Sequence, residues 1–252
     1  MKRLPITLVL TATITPPAGA IQLARTDAQQ RLNDYLRAMA FYLDELARGT
    51  FDRLVFADNS ASDVSALREL VAQRGLGTQV EILSFDGLDH PAHYGRGYGE
   101  FKLLDYVMQH AQLLQDLPPE APVWKVTGRY ILRNVAAVLA SMPPQVELYC
   151  HCRNWPQRWV DLYVLGWQHQ AYAKFLRGLY TQLREDVAPV SAEYHFRNAV
   201  DAAVGRLRIQ RRFKVVCMLD GYRGVDNRNY TQDGAKLLLR RWAAKLAPWW
   251  WI

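Results

Sequence analysis

Short, nearly continuous apolar runs alternate along this chain with longer segments in which apolar residues recur every three or four positions. The runs are ITLVL (6–10), RLVFA (53–57), VEILSF (80–85), VWKVT (123–127), VELYC (146–150) and FKVVCML (213–219). Runs of this length predict strands covered on both faces. Between the first two, residues 28–47 place Leu32, Tyr35, Leu36, Met39, Tyr42, Leu43 and Leu46 on one helical face. Ser62 and Asp63 suit the start of a helix that carries Val64, Leu67 and Leu70. Further helices are predicted over 99–114, 134–141, 168–186 and 191–208. The alternation predicts one α/β domain with a mostly parallel sheet flanked by helices. The breaks at Pro16-Pro17, Pro118-Pro119 and Pro143-Pro144 read as turns between elements.

The opening stretch, MKRLPITLVLTATITPPAGA, has the basic start and small-residue end of a secretory signal. Its middle argues otherwise. Threonines and β-branched residues favour a strand over a leucine-rich leader. ITLVL is followed by a loop, a helix and RLVFADNS, which makes it the first strand of a strand–helix–strand unit.

Composition narrows the class. The 252 residues are 50% hydrophobic and 22% charged, which is globular composition with material for a large core. No apolar run reaches the roughly 18 residues of a transmembrane helix. Three cysteines form no disulfide framework and fit a reducing compartment. A net charge of +7 suits an anionic partner.

In an open α/β sheet, ligands bind beyond the carboxyl ends of the strands. Here four such ends are polar: Thr11-Ala12-Thr13, Asp58-Asn59-Ser60, Phe85-Asp86-Gly87 and Thr127-Gly128-Arg129. Each alone is ordinary turn chemistry; together they predict a site. HYGRGYGEFKLLDYV (93–107) sets Gly95, Gly97 and Gly99 before a helix whose start would attract phosphate, with Arg96 and Lys102 close by. Its spacing matches neither the dinucleotide fingerprint nor a Walker A loop. Lys125 lies within a buried-looking strand and needs a partner, either a ligand phosphate or an acid such as Asp58 or Glu100. Glu193 and His195 sit near a helix start, and Arg223 and Arg228 fall in a glycine-containing loop that could fold over a pyrophosphate. Cys150-His151-Cys152 has no second ligand pair and predicts burial, not zinc.

The C-terminus, KLLLRRWAAKLAPWWWI, interleaves Lys236, Arg240, Arg241 and Lys245 with leucines and tryptophans. That pattern predicts an amphipathic segment, residues 236–252, lying on an anionic bilayer behind a domain of residues 1–235.

The stretches LTATITP, VFADNS, GRGYGE and KVTGRYIL, in this order, resemble bacterial GT-A-type glycosyltransferases of lipopolysaccharide O-antigen and capsule synthesis. The likeness spans roughly residues 6–230. It implies a Rossmann-like GT-A domain in which Thr11, Ala12 and Thr13 receive a nucleotide and Asp58 and Asn59 lie near its base or ribose. Gly95, Arg96, Gly97, Glu100, Lys125, Thr127, Gly128 and Arg129 would line the donor site. Glu193 and His195 would fall near the diphosphate or acceptor. The donor would be a nucleoside-diphosphate sugar, and the acceptor a lipid-linked or growing glycan at the cytoplasmic membrane face. Glu193 and Asp161 are the candidate bases for the acceptor hydroxyl. Most GT-A enzymes hold a divalent metal with Asp-x-Asp, which this sequence lacks. Cations such as Lys125 and Arg129 are expected to take its place on the leaving diphosphate.

Two other classes compete. A sugar nucleotidyltransferase would want a glycine-rich, basic loop directly after the first strand, and only Gly19 is present there. A non-catalytic nucleic-acid-binding or membrane-binding protein is permitted by the charge. The basic residues are spread over the chain, however, with no helix-turn-helix, zinc-finger or RNP pattern, and no nucleic acid is expected.

Overall fold

The computed structural model describes residues 3–19, 23–188, 191–234, 238–240, 242 and 246. The elements in chain order are β1 (Thr7–Ala12), α1 (Ala28–Ala47), β2 (Arg53–Asp58), α2 (Ser65–Gln73), β3 (Val80–Ser84), α3 (Gly95–His110), α4 (Gln112–Gln115), β4 (Pro122–Thr127), β5 (Ile131–Leu132), α5 (Val135–Ala140), β6 (Leu148–Arg153), β7 (Trp159–Gln168), α6 (Ala192–Ala203), β8 (Ile209–Gln210) and β9 (Leu219–Asp220). Seven strands form one sheet in the order β3–β2–β1–β4–β7–β6–β8. β1, β2, β3 and β4 run parallel, β7 is antiparallel to both β4 and β6, and β8 is parallel to β6. The predicted α/β architecture holds, and ITLVL forms a central strand.

Strand alternation divides the core between two faces. Leu8, Leu10, Leu54, Phe56, Trp124 and Val126 pack with Tyr35, Met39, Tyr42 and Leu43 of α1 on one side. Val9, Val55, Ala57 and Val123 pack with Phe101, Leu104 and Val107 of α3 and with Phe196 and Val200 of α6 on the other. α1 starts where Asp27 accepts from Gln30 N at 2.7 Å, which satisfies one of the free amides of the first turn. Asp63 takes the amide and hydroxyl of Ser65 at the start of α2.

Three expectations are corrected. Residues 213–219 are no core strand; only Leu219 enters the short pair of β5 with β9. Their backbone is held by side chains instead: Phe213 N donates to His151 Nδ1, Lys214 N to Tyr149 Oη and Met218 N to Asn134 Oδ1. Residues 168–186 are no long helix. They form the end of β7, a π turn (Tyr172–Leu176) and a 3-10 turn (Leu179–Gln182), separated by Gly178 at φ +73°. The sheet also gains β7, a strand the apolar runs did not predict. Cys150 and Cys152 are buried on β6, and no group of three or more metal-ligating side chains stands together among the described residues.

Candidate functional site

β1 leads to β2 and β3 on one side of the sheet, while β4 lies on its other side. The direction of winding therefore switches between β1 and β4, and a crevice opens beyond their carboxyl ends. It holds a cavity of about 1130 Å³, large enough for a nucleotide sugar. Because β7 runs antiparallel to β4, the start of β7 and the end of β6 form the far wall, with Arg153, Trp159, Asp161 and Tyr163.

The floor is an ordered polar net. Glu100 of α3 accepts at Oε1 from Thr11 Oγ1 at 2.6 Å and Thr127 Oγ1 at 3.1 Å, joining the ends of β1 and β4. Lys125 Nζ completes it at 2.7 Å from the same oxygen. Burial alone would push the Glu100 carboxyl up, but Lys125 and the two hydroxyls hold it below the usual carboxylate range. Gly128 N donates to Thr11 O at 2.8 Å, and a Cβ at Gly128 would lie 2.8 Å from that oxygen. Thr13 Oγ1 donates to Asn59 Oδ1 at 2.7 Å.

Three arginines line the cavity without a carboxylate partner among the described residues. Arg31, 5% exposed, gives its donors to Thr13 O, Arg25 O and Tyr35 Oη. Arg129, also 5% exposed, donates to Tyr222 O and lies 4.9 Å from the Tyr130 ring. The Arg96 side chain makes no hydrogen bond or ion pair among the described residues and its buried Nε is unpartnered, while its backbone amide donates to Glu185. Arg96 and Arg129 converge: a Cβ on Gly224 would lie 3.2 Å from Arg96 Nη1 and 2.7 Å from Arg129 Nη2. Burying such charges costs several kcal/mol each unless a counter-ion or equivalent arrives. The arrangement is built for an anion.

Of the residues predicted from the sequence, Thr11, Ala12, Thr13, Asn59, Gly95, Arg96, Gly97, Glu100, Thr127, Arg129, Asp161, Glu193 and Arg223 line the cavity. Lys125, Asp58, Gly128 and His195 stand outside its lining. Lys125 is fully buried, with Nζ given to Glu100, Thr127 Oγ1 and Leu162 O; it holds the floor instead of reaching a diphosphate. Asp58 is spent on Ile14 N, Ser60 and Ser62 N, so it fixes the loops after β1 and β2 and does not face a base. His195 Nε2 sits 3.1 Å from Val187 O.

The glycines play a different part from the one expected. α3 begins at Gly95, so all three lie inside its first turns. A Cβ at Gly97 would lie 2.0 Å from the Ala192 Cβ, and one at Gly95 (φ +87°) 2.4 Å from the Glu185 Cδ. They let Glu185 and the start of α6 press onto the start of α3. Asp161 is pinned by Arg153 at 2.6 Å and by Tyr163 Oη at 2.8 Å. Glu193 accepts from Ser191 Oγ at 2.9 Å and faces the cavity. Arg223 pairs with Asp226.

Sequence reading missed Arg31, Glu185, His90 and Tyr163; it named Asp161 as a candidate base, with Arg153 or Arg158 as the alternative partner, and the structure gives it Arg153. Arg31 carried a signal: it stands four residues before Tyr35, on the buried face of α1, where Asp34 is the other charged residue. Glu185 was hidden by the helix read over its segment. Arg153 meets Asp161 across neighbouring strands, and Tyr163 reaches it from two residues on along β7.

No family model and no curated protein matches the sequence. Solved structures with a similar chain path include a protein from Desulfovibrio desulfuricans described as a nucleotide-diphospho-sugar transferase, at 15% identity and TM-score 0.49, covering 82% of this chain and 78% of that one. A mannosyltransferase from Pyrobaculum calidifontis, solved with GDP-Man and Mn2+, matches at 15% identity and TM-score 0.49, over 96% of this chain and 64% of that one. A cytidylyltransferase from Leptospira borgpetersenii matches at 12% identity and TM-score 0.41, over 82% and 75% of the two chains. Likenesses this distant assign neither substrate nor reaction, so the functional reading rests on the site itself.

Proposed function

We infer that the protein is a glycosyltransferase that moves a sugar from a nucleoside-diphosphate sugar to a hydroxyl of a growing or lipid-linked glycan. The observation that carries this reading is the convergence of Arg31, Arg96 and Arg129 on one switch-point cavity, none of them in an ion pair among the described residues. Thr11, Ala12, Thr13 and Asn59 form the nucleotide side. Arg96 and Arg129 take the diphosphate, whose negative charge grows as the sugar–phosphate bond breaks. Glu193 is the base for the acceptor hydroxyl; Asp161, tied to Arg153 and Tyr163, shapes the wall beside it.

A divalent metal on the diphosphate does not fit these residues. The end of β4, where the family resemblance puts Asp-x-Asp, carries Thr127 and Arg129, and the carboxylate that reaches Thr127, Glu100, already takes three donors. We read the chemistry as metal-independent, with arginines in place of the ion.

The C-terminal segment is read as a bilayer contact on the cytoplasmic face. Leu238, Leu239, Trp242 and Leu246 are helical and exposed, Trp242 at 71%. Lys236, Arg241, Lys245 and the three terminal tryptophans lie outside the described residues. No helix among the described residues is long and apolar enough to cross a membrane.

Thermal unfolding with UDP, GDP, CMP and dTDP, each with manganese and with EDTA, tests the donor site. One nucleotide should stabilise the protein in EDTA, by about 2.7 kcal/mol at a hundredfold excess over Kd. Arg96→Ala should weaken that binding by about 1.5–3 kcal/mol, the worth of a charged hydrogen bond, with the unliganded midpoint unchanged. No shift with any nucleotide, or a shift only with manganese, would overturn the reading.

A further inference from the structure

Glu185 is a cavity-lining acid that the proposed mechanism does not use. It is 4% exposed and forms no ion pair among the described residues. Its Oε1 accepts from Gly97 N at 3.0 Å, which sets the carboxyl on the first turn of α3. From α3 it faces Arg96, and from α6 it faces Glu193. Gly95 and Gly97 have no side chains to hold it off; a Cβ at Gly95 would lie 2.4 Å from its Cδ. The chain therefore brings its own carboxyl to a place where free helix amides and an unpaired arginine attract anions. A simple capping carboxylate is held down by its donors. Burial pushes the Glu185 carboxyl up instead, and Glu193 adds to the rise against Gly97 and Arg96.

We propose that Glu185 is an internal stand-in for a phosphate of the ligand. In the empty protein its carboxylate holds the anion site made by the Gly97 amide and Arg96. The ligand's phosphate displaces it, and Glu185 takes up one proton from solvent as it gives way. The inference rests on the donor-site reading and adds that ligand binding is coupled to protonation. The sign follows from the charges. A phosphate beside Glu185 raises its affinity for a proton further, so ligand affinity rises as pH falls, by at most about tenfold per pH unit.

Calorimetric titration of the full chain with UDP-glucose, GDP-mannose, CMP-N-acetylneuraminate and dTDP-glucose tests this. The phosphates of these probes keep their charge across the carboxylate and neutral ranges. Titrations in two buffers of different ionisation enthalpy read proton uptake on the unaltered protein, so the result does not depend on a variant folding. The expected outcome is proton uptake with the sugar nucleotide that binds, and Kd rising with pH. Glu185→Gln, which can still accept from Gly97, should bind about tenfold more tightly at neutral pH and lose the pH slope. His90 also lines the cavity but is the same in both proteins, so the difference belongs to residue 185. Binding without proton uptake, or equal or weaker binding by Glu185→Gln, overturns the proposal and leaves the donor site standing. Failure of both proteins to bind any of the four overturns both.

Discussion

Lys125 shows how one side chain can be read correctly in need and wrongly in use. A lysine inside an apolar strand must find negative charge, and the sequence narrowed its partner to a ligand phosphate or an acid. The structure gives it Glu100 at 2.7 Å, with Lys125 beneath the cavity floor and Glu100 part of the floor itself. Lys125→Met should destabilise the protein in urea unfolding by about 1–3 kcal/mol, because it leaves the half-buried Glu100 charge unpaired. Adding Glu100→Gln should recover part of that loss. The pair also predicts acid behaviour. Glu100 is held below its ordinary range, so its contribution is full above the unfolded value, about pH 4.3, and is lost as pH falls through the folded value. Stability measured down the acid limb should therefore fall more steeply in the native protein than in Glu100→Gln. Parallel curves would remove the ion pair from the account.

At the scale of elements, the start of α3 and the start of α6 meet without a side chain between them. Gly97→Ala forces a methyl against the Ala192 Cβ, a contact of 2.0 Å before relaxation, and should destabilise the protein by about 1–3 kcal/mol. Ala192→Gly opens the same space, so the double variant should be more stable than Gly97→Ala alone. If the double variant unfolds with the single one, the clash lies elsewhere. The glycines were legible in the sequence as special positions; their purpose was not, because Ala192 and Glu185 are far off along the chain. The same limit explains the elements. Strands β1 to β4 and helix α1 carry their periodicity locally and were legible. β7 carries Asp161 and Gly166 in a buried run, and each is explained only by a neighbour strand: Arg153 on β6 answers the aspartate, while the Trp124 ring on β4 lies 3.0 Å from where a Cβ at Gly166 would stand. Residues 213–219 failed in the opposite way, being apolar enough for a strand but hydrogen-bonded by side chains from β6 and from Asn134.

For the whole molecule, the sequence located the site to the carboxyl ends of the first four strands; the cavity lies beyond the first, second and fourth, while Phe85, Asp86 and Gly87 after the third stand outside its lining. Its depth and the place of Arg31 in it needed the fold. The exposed apolar helix positions at the C-terminus carry the remaining prediction. Full-length protein should sediment with vesicles containing phosphatidylglycerol and much less with neutral ones. Leu238→Ser, Trp242→Ser and Leu246→Ser combined should abolish that binding without moving the unfolding midpoint, since all three side chains are exposed. Vesicle binding that survives the triple change would place the contact on another surface.

The reversed strand β7 has a consequence for how the protein can vary. In an all-parallel sheet, the residues around a crevice come from the long connections that follow strands. Here one side comes from the five residues, 154–158, that turn β6 directly into β7. A hairpin this short is fixed by the two strands it joins, and the nucleotide side does not pass through it. Its tip can lengthen, shorten or change composition while Thr11, Arg96 and Arg129 keep their places. On the glycosyltransferase reading proposed above, choice of acceptor and hold on the donor would sit on separate stretches of chain, and the first could diversify without endangering the second.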